Sequence, residues 1–213
     1  MAGLALILTG SLVLAWLGWE FWGTNWVSHQ RQHQVVDQLE KSWDDGQPSA
    51  DTEWGTATAV LRVPRFGADY QVPVLEGTTD EVLAAGIGHM EHTQDVGERG
   101  NYVLAAHRVT HGEPFAHFPD LRAGDVVYVD TVATTYEYVL DTGGKDLVVP
   151  FTASWVLDRF PVNPDRGGAT PPLDVGDRLI TLVTCSEIFH TDNRSVAFGH
   201  LRDTYPRIPG RAD

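Results

Sequence analysis

The 213-residue chain is 42% hydrophobic and 21% charged, a balance that suits one folded domain with appendages and excludes a disordered protein. Its formal net charge is −14, with lysine only at Lys41 and Lys145, which excludes a nucleic-acid binder, whose target phosphates need a basic footprint. The acidity marks a solvated surface and leaves room for attraction to a cationic partner such as a substrate amine.

Residues 2–18 carry no charge, and the first charged residue is Glu20. A helix of about 17–20 such residues spans roughly 25–30 Å, the thickness of membrane hydrocarbon. Trp16, Trp19, Phe21, Trp22 and Trp26 crowd one end, as aromatic side chains do at a membrane interface. A cleavable signal peptide needs small residues there, so residues 1–27 are expected to form an uncleaved transmembrane signal-anchor in contact with lipid. No Lys or Arg precedes the span, so flanking charge does not set its orientation. Over 28–43, Val35, Val36, Leu39 and Trp43 recur at helical spacing and predict a short amphipathic helix. The polar stretch 44–52 reads as a linker, so 28–53 is expected to be a juxtamembrane helix and linker, and 54–213 the folded domain.

Past Trp54 the pattern is β-like. Strands are expected over 56–63, 70–76, 102–106, 126–130, 135–141, 154–158, 178–184 and 195–201, each run rich in β-branched and aromatic residues and bounded by turn signals. Brief helices fit 79–85 and 114–121. Eight strands with so little helix predict a mainly β fold, a closed or nearly closed barrel, in which parallel βαβ units are not expected.

The only cysteine, Cys185, directly follows the strand at 178–184. A free cysteine is usually a small buried hydrophobe. An exported protein that keeps one unpaired thiol risks oxidation, however, and retention suggests a use. A thiol nucleophile needs a base, because the thiolate is the reactive form, and a donor for the developing oxyanion. His107, at the end of the strand at 102–106, is the candidate base, and His111 in the same loop competes with it. His117, His190 and His200 read as surface or loop histidines. His89 and His92 flanking Glu91 are a weak metal pattern, and no metal or cofactor is expected. Arg194 opens the strand after Cys185; if these strands are antiparallel neighbours, about 5 Å apart, its fixed guanidinium donors come within reach of a carbonyl held over the sulfur. The alternative is a surface arginine paired with Asp192 or Glu187.

These residues sit in segments with a family likeness. TLVTCSEIFHTDNRSVAFGHL (181–201) resembles the signature of sortases, TLxTC followed within a loop by an arginine that opens the last strand. NYVLAAHRVTHGEPFAHFPDLRAGDVVYV (101–129) resembles the same family's histidine region, with Ala106 where related sequences commonly carry glycine. The short Cys-to-Arg interval, the HRxTHGxPF loop and the N-terminal anchor are most similar to class E sortases of actinobacteria. The resemblance implies an eight-stranded sortase-type β-barrel facing the cell exterior on a single membrane span. It implies Cys185 as nucleophile, His107 as general acid/base and Arg194 as oxyanion and substrate donor, with Thr184, His111 and Glu187 binding substrate. The implied reaction is cleavage of an LPXTG-like signal, LAXTG in class E, between Thr and Gly on another exported protein. A Cys185 thioester then passes the acyl group to an amine of a cell-wall precursor or pilin. Loops 142–177 and 186–193 would wall the groove, with Val148, Val149, Phe151, Trp155 and Phe160 as apolar candidates. The rival readings are a cysteine hydrolase on a similar barrel and a non-catalytic surface-anchored binding module.

Overall fold

The structure is a computed structural model describing residues 3, 7–13, 24–172, 174–185 and 192–208, with the backbone alone at Thr24 and Cys185. Helix α1 (Thr24–Asp44) is followed by strands β1 (Ala50–Thr52), β2 (Gly55–Arg62) and β3 (Gln71–Glu76). Helix α2 (Asp80–Ala85) leads to β4 (Ile87–His89), β5 (Gly100–Ala105), β6 (Val126–Asp130), β7 (Thr134–Leu140) and β8 (Val148–Pro150), and the chain ends on β9 (Arg178–Cys185) and β10 (Asn193–Pro206).

The sheet runs β1-β2-β3-β4-β5-β9-β10-β7-β6, and β6 pairs back onto β2, so that β2 through β7, β9 and β10 close an eight-stranded barrel. Closure satisfies the edges that an open sheet would expose. The seam is sealed by Arg62, whose Nε donates to Asp130 at 2.6 Å, while Asp130 also accepts the Thr135 hydroxyl. Alternation along the strands sends Leu61, Leu104, Val129, Tyr138, Ile180 and Leu182 into the barrel, all of them fully buried.

Two further apolar clusters coat the outside of the barrel. Val35, Val36, Leu39 and Trp43 form one stripe of α1 and pack on Ala57, Val60 and Leu75 of the wall. Helix α1 ends where Gly46, in left-handed backbone at φ +76°, donates its N–H to the Trp43 carbonyl. The second cluster joins Val183, Val196 and Phe198 to Val103, Leu147, Val149 and Val156. It forms the floor beneath the candidate site.

Four expectations are corrected. Residues 154–158 are not a strand: Ser154–Leu157 is a 3₁₀ turn, fixed because Asn101 Nδ2 donates to the carbonyls of Val156 and Asp158. The brief helix expected over 114–121 narrows to a 3₁₀ turn at Phe118–Asp120. The stretch 44–52 is not all linker, since β1 pairs with β2 there (Ala50↔Ala57). A parallel β-α-β unit is present as β3-α2-β4 (Val74↔Ile87), its crossover a helix of only six residues capped by the Thr79 hydroxyl. Of the expected span at 2–18, residues 7–13 are helical and exposed, and the rest lies largely outside the described residues. Among the described residues no helix is long and apolar enough to cross a membrane.

Candidate active site

Strands β5 and β9 are parallel, with Ala105↔Val183 as their last pair. Two residues further on stand His107 and Cys185. Just past that pair the strands stay tied, because the Ala106 N–H donates to the Val183 carbonyl and the Thr184 hydroxyl donates to the Ala106 carbonyl at 2.8 Å. On the other side of β9 the antiparallel register sets Arg194 directly across from Cys185. Three positions remote in the chain thus meet at one end of the barrel.

A cleft of about 390 Å³ opens there, lined by His107, Thr184, Val183, Phe151 and Arg194 among others. Arg194 shares its face of β10 with Val196 and Phe198, so the second outer cluster lies below it and the guanidinium emerges above. Its Cζ lies 4.6 Å from the centre of the Phe151 ring, and Nη1 donates to the Asn193 carbonyl. Phe151 is 68% exposed despite its size, so one ring face holds the cation while the side chain borders the opening.

His107 is half-buried and its ring stacks on that of His111, centroids 4.8 Å apart. Burial first, and the neighbouring His111 second, pull the His107 imidazole down to about 4, while Asp80 on α2 opposes them weakly. At neutral pH His107 is therefore an uncharged imidazole, able to accept a proton. The loop beyond it folds back so that the Phe115 N–H donates to the His107 carbonyl, with the Phe115 ring fully buried as an anchor.

The expected site residues separate clearly. His107, Thr184 and Arg194 line one cleft, and the Cys185 backbone borders it through the β10 register. His111 is stacked behind His107 and lines a separate hollow of about 360 Å³ with Arg31, Asp80 and Glu81. Glu187 and His190 lie outside the described residues. Val149 and Phe151 line the cleft as groove candidates. Trp155 instead packs on Phe198, Phe160 sits between Arg99 and Arg159, and Val148 faces solvent. His200 pairs with Asp141 and His117 with Asp120. His89 is buried, with Nδ1 2.9 Å from Glu76 Oε2 and Nε2 3.1 Å from the Gln94 carbonyl. Met90, Thr78 and Leu83 also line the cleft, a contribution of the β3-α2-β4 crossover that no local signal announced.

Residues 61–202 match the family model described as "Sortase domain". The chain belongs to the sortase family. Sortase SrtE1 of Streptomyces coelicolor is 30% identical over 99% of this chain, and the alignment spans 59% of that relative's length. Sortase E from Streptomyces avermitilis superposes with a TM-score of 0.60 at 36% identity, covering 73% of this chain and 93% of that one. Sortase E1 from Streptomyces coelicolor, solved with a tripeptide in its active site, gives 0.59 at 28% identity over 76% and 97% of the two chains. The closed eight-stranded barrel with its few helices is that of a sortase fold.

Proposed function

We propose that this sortase is a cysteine transpeptidase in which Cys185 attacks the peptide, His107 moves the proton and Arg194 steadies the oxyanion. The observation that carries the reading is the Cys185↔Arg194 register at the mouth of a cleft also lined by His107. Neutral His107 takes the thiol proton as sulfur adds to the Thr carbonyl. The guanidinium of Arg194 donates to the oxygen as negative charge develops there. Collapse of the tetrahedral intermediate breaks the Thr–Gly bond, and His107 returns its proton to the leaving amine. In the second half an incoming amine attacks the thioester, His107 takes the ammonium proton and passes it to the departing sulfur, and a new amide results. A thioester resolved by an amine retains the acyl bond, which suits an extracellular protein without nucleotide to restore it.

The substrate in this reading is an exported protein carrying an LPXTG-like signal, LAXTG by its likeness to class E, and the acceptor is a cell-wall precursor or pilin amine. The uncharged run at 2–18 anchors the chain in the cell membrane, with α1 from Thr24 onward and the barrel outside. The lack of charge over 2–18 and the aromatic flank support the anchor, and the likeness to class E supports the side on which the barrel lies.

The test supplies an LAXTG peptide to the full chain in detergent, with and without an added amine. An amide product that rises with amine concentration, lost in Cys185→Ala, supports transfer. Hydrolysis indifferent to amine indicates a hydrolase, and peptide binding without turnover, equal in the parent chain and Cys185→Ala, indicates a binding module.

A further inference from the structure

The loop that carries His111 is held by a helix from the other end of the chain. His111, Gly112 and Glu113 pass consecutively through left-handed backbone, at φ +56°, +78° and +47°. Two of the three carry a Cβ, which disfavours that region. Within the loop the turn is tied by the Glu113 N–H to the Thr110 carbonyl at 3.2 Å and the Phe115 N–H to the His107 carbonyl at 3.0 Å, bonds that leave the Gly112 N–H to an outside partner. Asn25, on the first turn of α1, bonds the turn twice: its Oδ1 accepts the Gly112 N–H at 2.9 Å, and its Nδ2 donates to Glu113 Oε1 at 2.6 Å. Gln32, two turns further along α1, lies under the same spot, where a Cβ built on Gly112 would meet its Nε2 at 2.5 Å. Helix α1 is in turn fixed to the barrel by Val35, Val36, Leu39 and Trp43. A chain of contacts therefore runs from the barrel wall through α1 and Asn25 to the loop whose His111 ring stacks on His107.

We propose that Asn25 is a positioning residue for the acid/base histidine: by holding Gly112 and Glu113 it keeps His111 against His107, which makes the anchor-proximal helix part of the active-site framework. Asn25 touches no reacting atom and acts only through the loop. The inference rests on the role given to His107 above. It adds that a segment 82 positions upstream of His107 in the sequence governs that residue's placement.

The experiment uses the full chain in detergent and two readouts, kcat and KM on an LAXTG peptide and the ¹⁵N ring titrations of His107 and His111 by NMR, with thermal melting as a check on folding. Among the described residues, the titratable and charged groups around His107 are His111 on its own loop, Asp80 on α2 and Arg194 across the cleft, and the Cys185 position lies at the same end of the barrel. Asn25→Ala should lower kcat about tenfold with KM within about twofold, the signature of misplaced machinery rather than lost substrate binding. The His107 titration should move upward in the same variant as the stack loosens. Asn25→Asp alone sets a carboxylate against Glu113 and should be as damaging. Combined with Glu113→Gln it rebuilds both bonds, donor and acceptor exchanged between positions 25 and 113, and should recover kcat and titration. Wild-type kcat and titration in Asn25→Ala, or no recovery in the double variant, overturns the proposal. If the parent chain cleaves no peptide, the role of His107 falls, while the ring titrations still report whether Asn25 holds the pair.

Discussion

His107 and Arg194 reach the same cleft by opposite electrostatic routes. His107 is stripped of water and faced by a second imidazole, so its charged form is disfavoured and its titration falls to about 4. Arg194 keeps its charge and spreads it over the face of Phe151. A base that must be neutral to act then predicts an acid limb of kcat/KM near pH 4 for the free enzyme, well below the ordinary histidine range. His111→Ala removes one of the two causes and part of the burial, both of which push the same way, so its acid limb should move upward. A limb near the ordinary value of about 6.5 in the parent chain counts against the environment described here. The linkage to stability has a definite sign. The unfolded chain protonates His107 at about 6.5 and the folded one only at about 4, so the group costs stability as pH falls through that window. His107→Gln, which does not titrate, should flatten that part of the stability–pH curve. Arg194→Lys keeps the charge but loses the planar fork and its ring contact, and kcat should fall about 10²–10³-fold, the size of a lost oxyanion donor. Full activity in Arg194→Lys would remove the donor role.

At the scale of elements, the decisive piece is α1. Its stripe of Val35, Val36, Leu39 and Trp43 was legible as helical spacing, since a 3.6-residue period survives in a helix of 21 residues. What the stripe packs against was not legible, because Ala57, Val60 and Leu75 belong to strands whose own alternation only marks them as buried. The same contrast runs through the sheet. Strand β6 is placed to the residue, β2, β3, β7 and β9 to within about one and β5 to within about two, because five to eight residues show alternation and clear turn boundaries, while β10 runs on to Pro206, well past the expected end at 201. Strands β1, β4 and β8 have three residues each, too few for any period. The segment at 154–158 carries strand-like residues, yet hydrogen bonds to Asn101, more than fifty positions earlier, wind it into a turn. The site was readable where chemistry is local, in the residues around His107, Cys185 and Arg194. Asn25 was hidden because the partner it clamps is 88 positions away. Burial of α1 also makes a prediction. Leu39 is fully buried, so Leu39→Ala should lower unfolding free energy by about 2–5 kcal/mol in denaturant titration. A chain cut at residue 53, which loses the whole stripe and β1, should be destabilised further and lose turnover with it. A cut chain as stable as the parent would show that the barrel stands without α1.

On the scale of the whole molecule, the net charge of −14 surrounds a cleft whose own described cation is Arg194 and whose base is uncharged at neutral pH. An amine acceptor reaches that cleft as an ammonium, through a field of the opposite sign, and must give up its proton before it can attack. Long-range attraction between exposed charges acts over about 10 Å at 0.1 M salt and shrinks to about 3 Å at 1 M. The acceptor half of the reaction should therefore weaken with ionic strength, while the first half, in which a peptide of little net charge enters an apolar cleft, should not. With a diamine as acceptor, the second-order rate of amide formation should fall several-fold between low and high salt, and consumption of a neutral LAXTG peptide should stay nearly level. Hydroxylamine, uncharged at neutral pH, provides the control: its transfer rate should be flat across the same range. A diamine rate that is equally flat would mean that the acidic surface has no part in gathering the acceptor and serves only to keep the domain solvated.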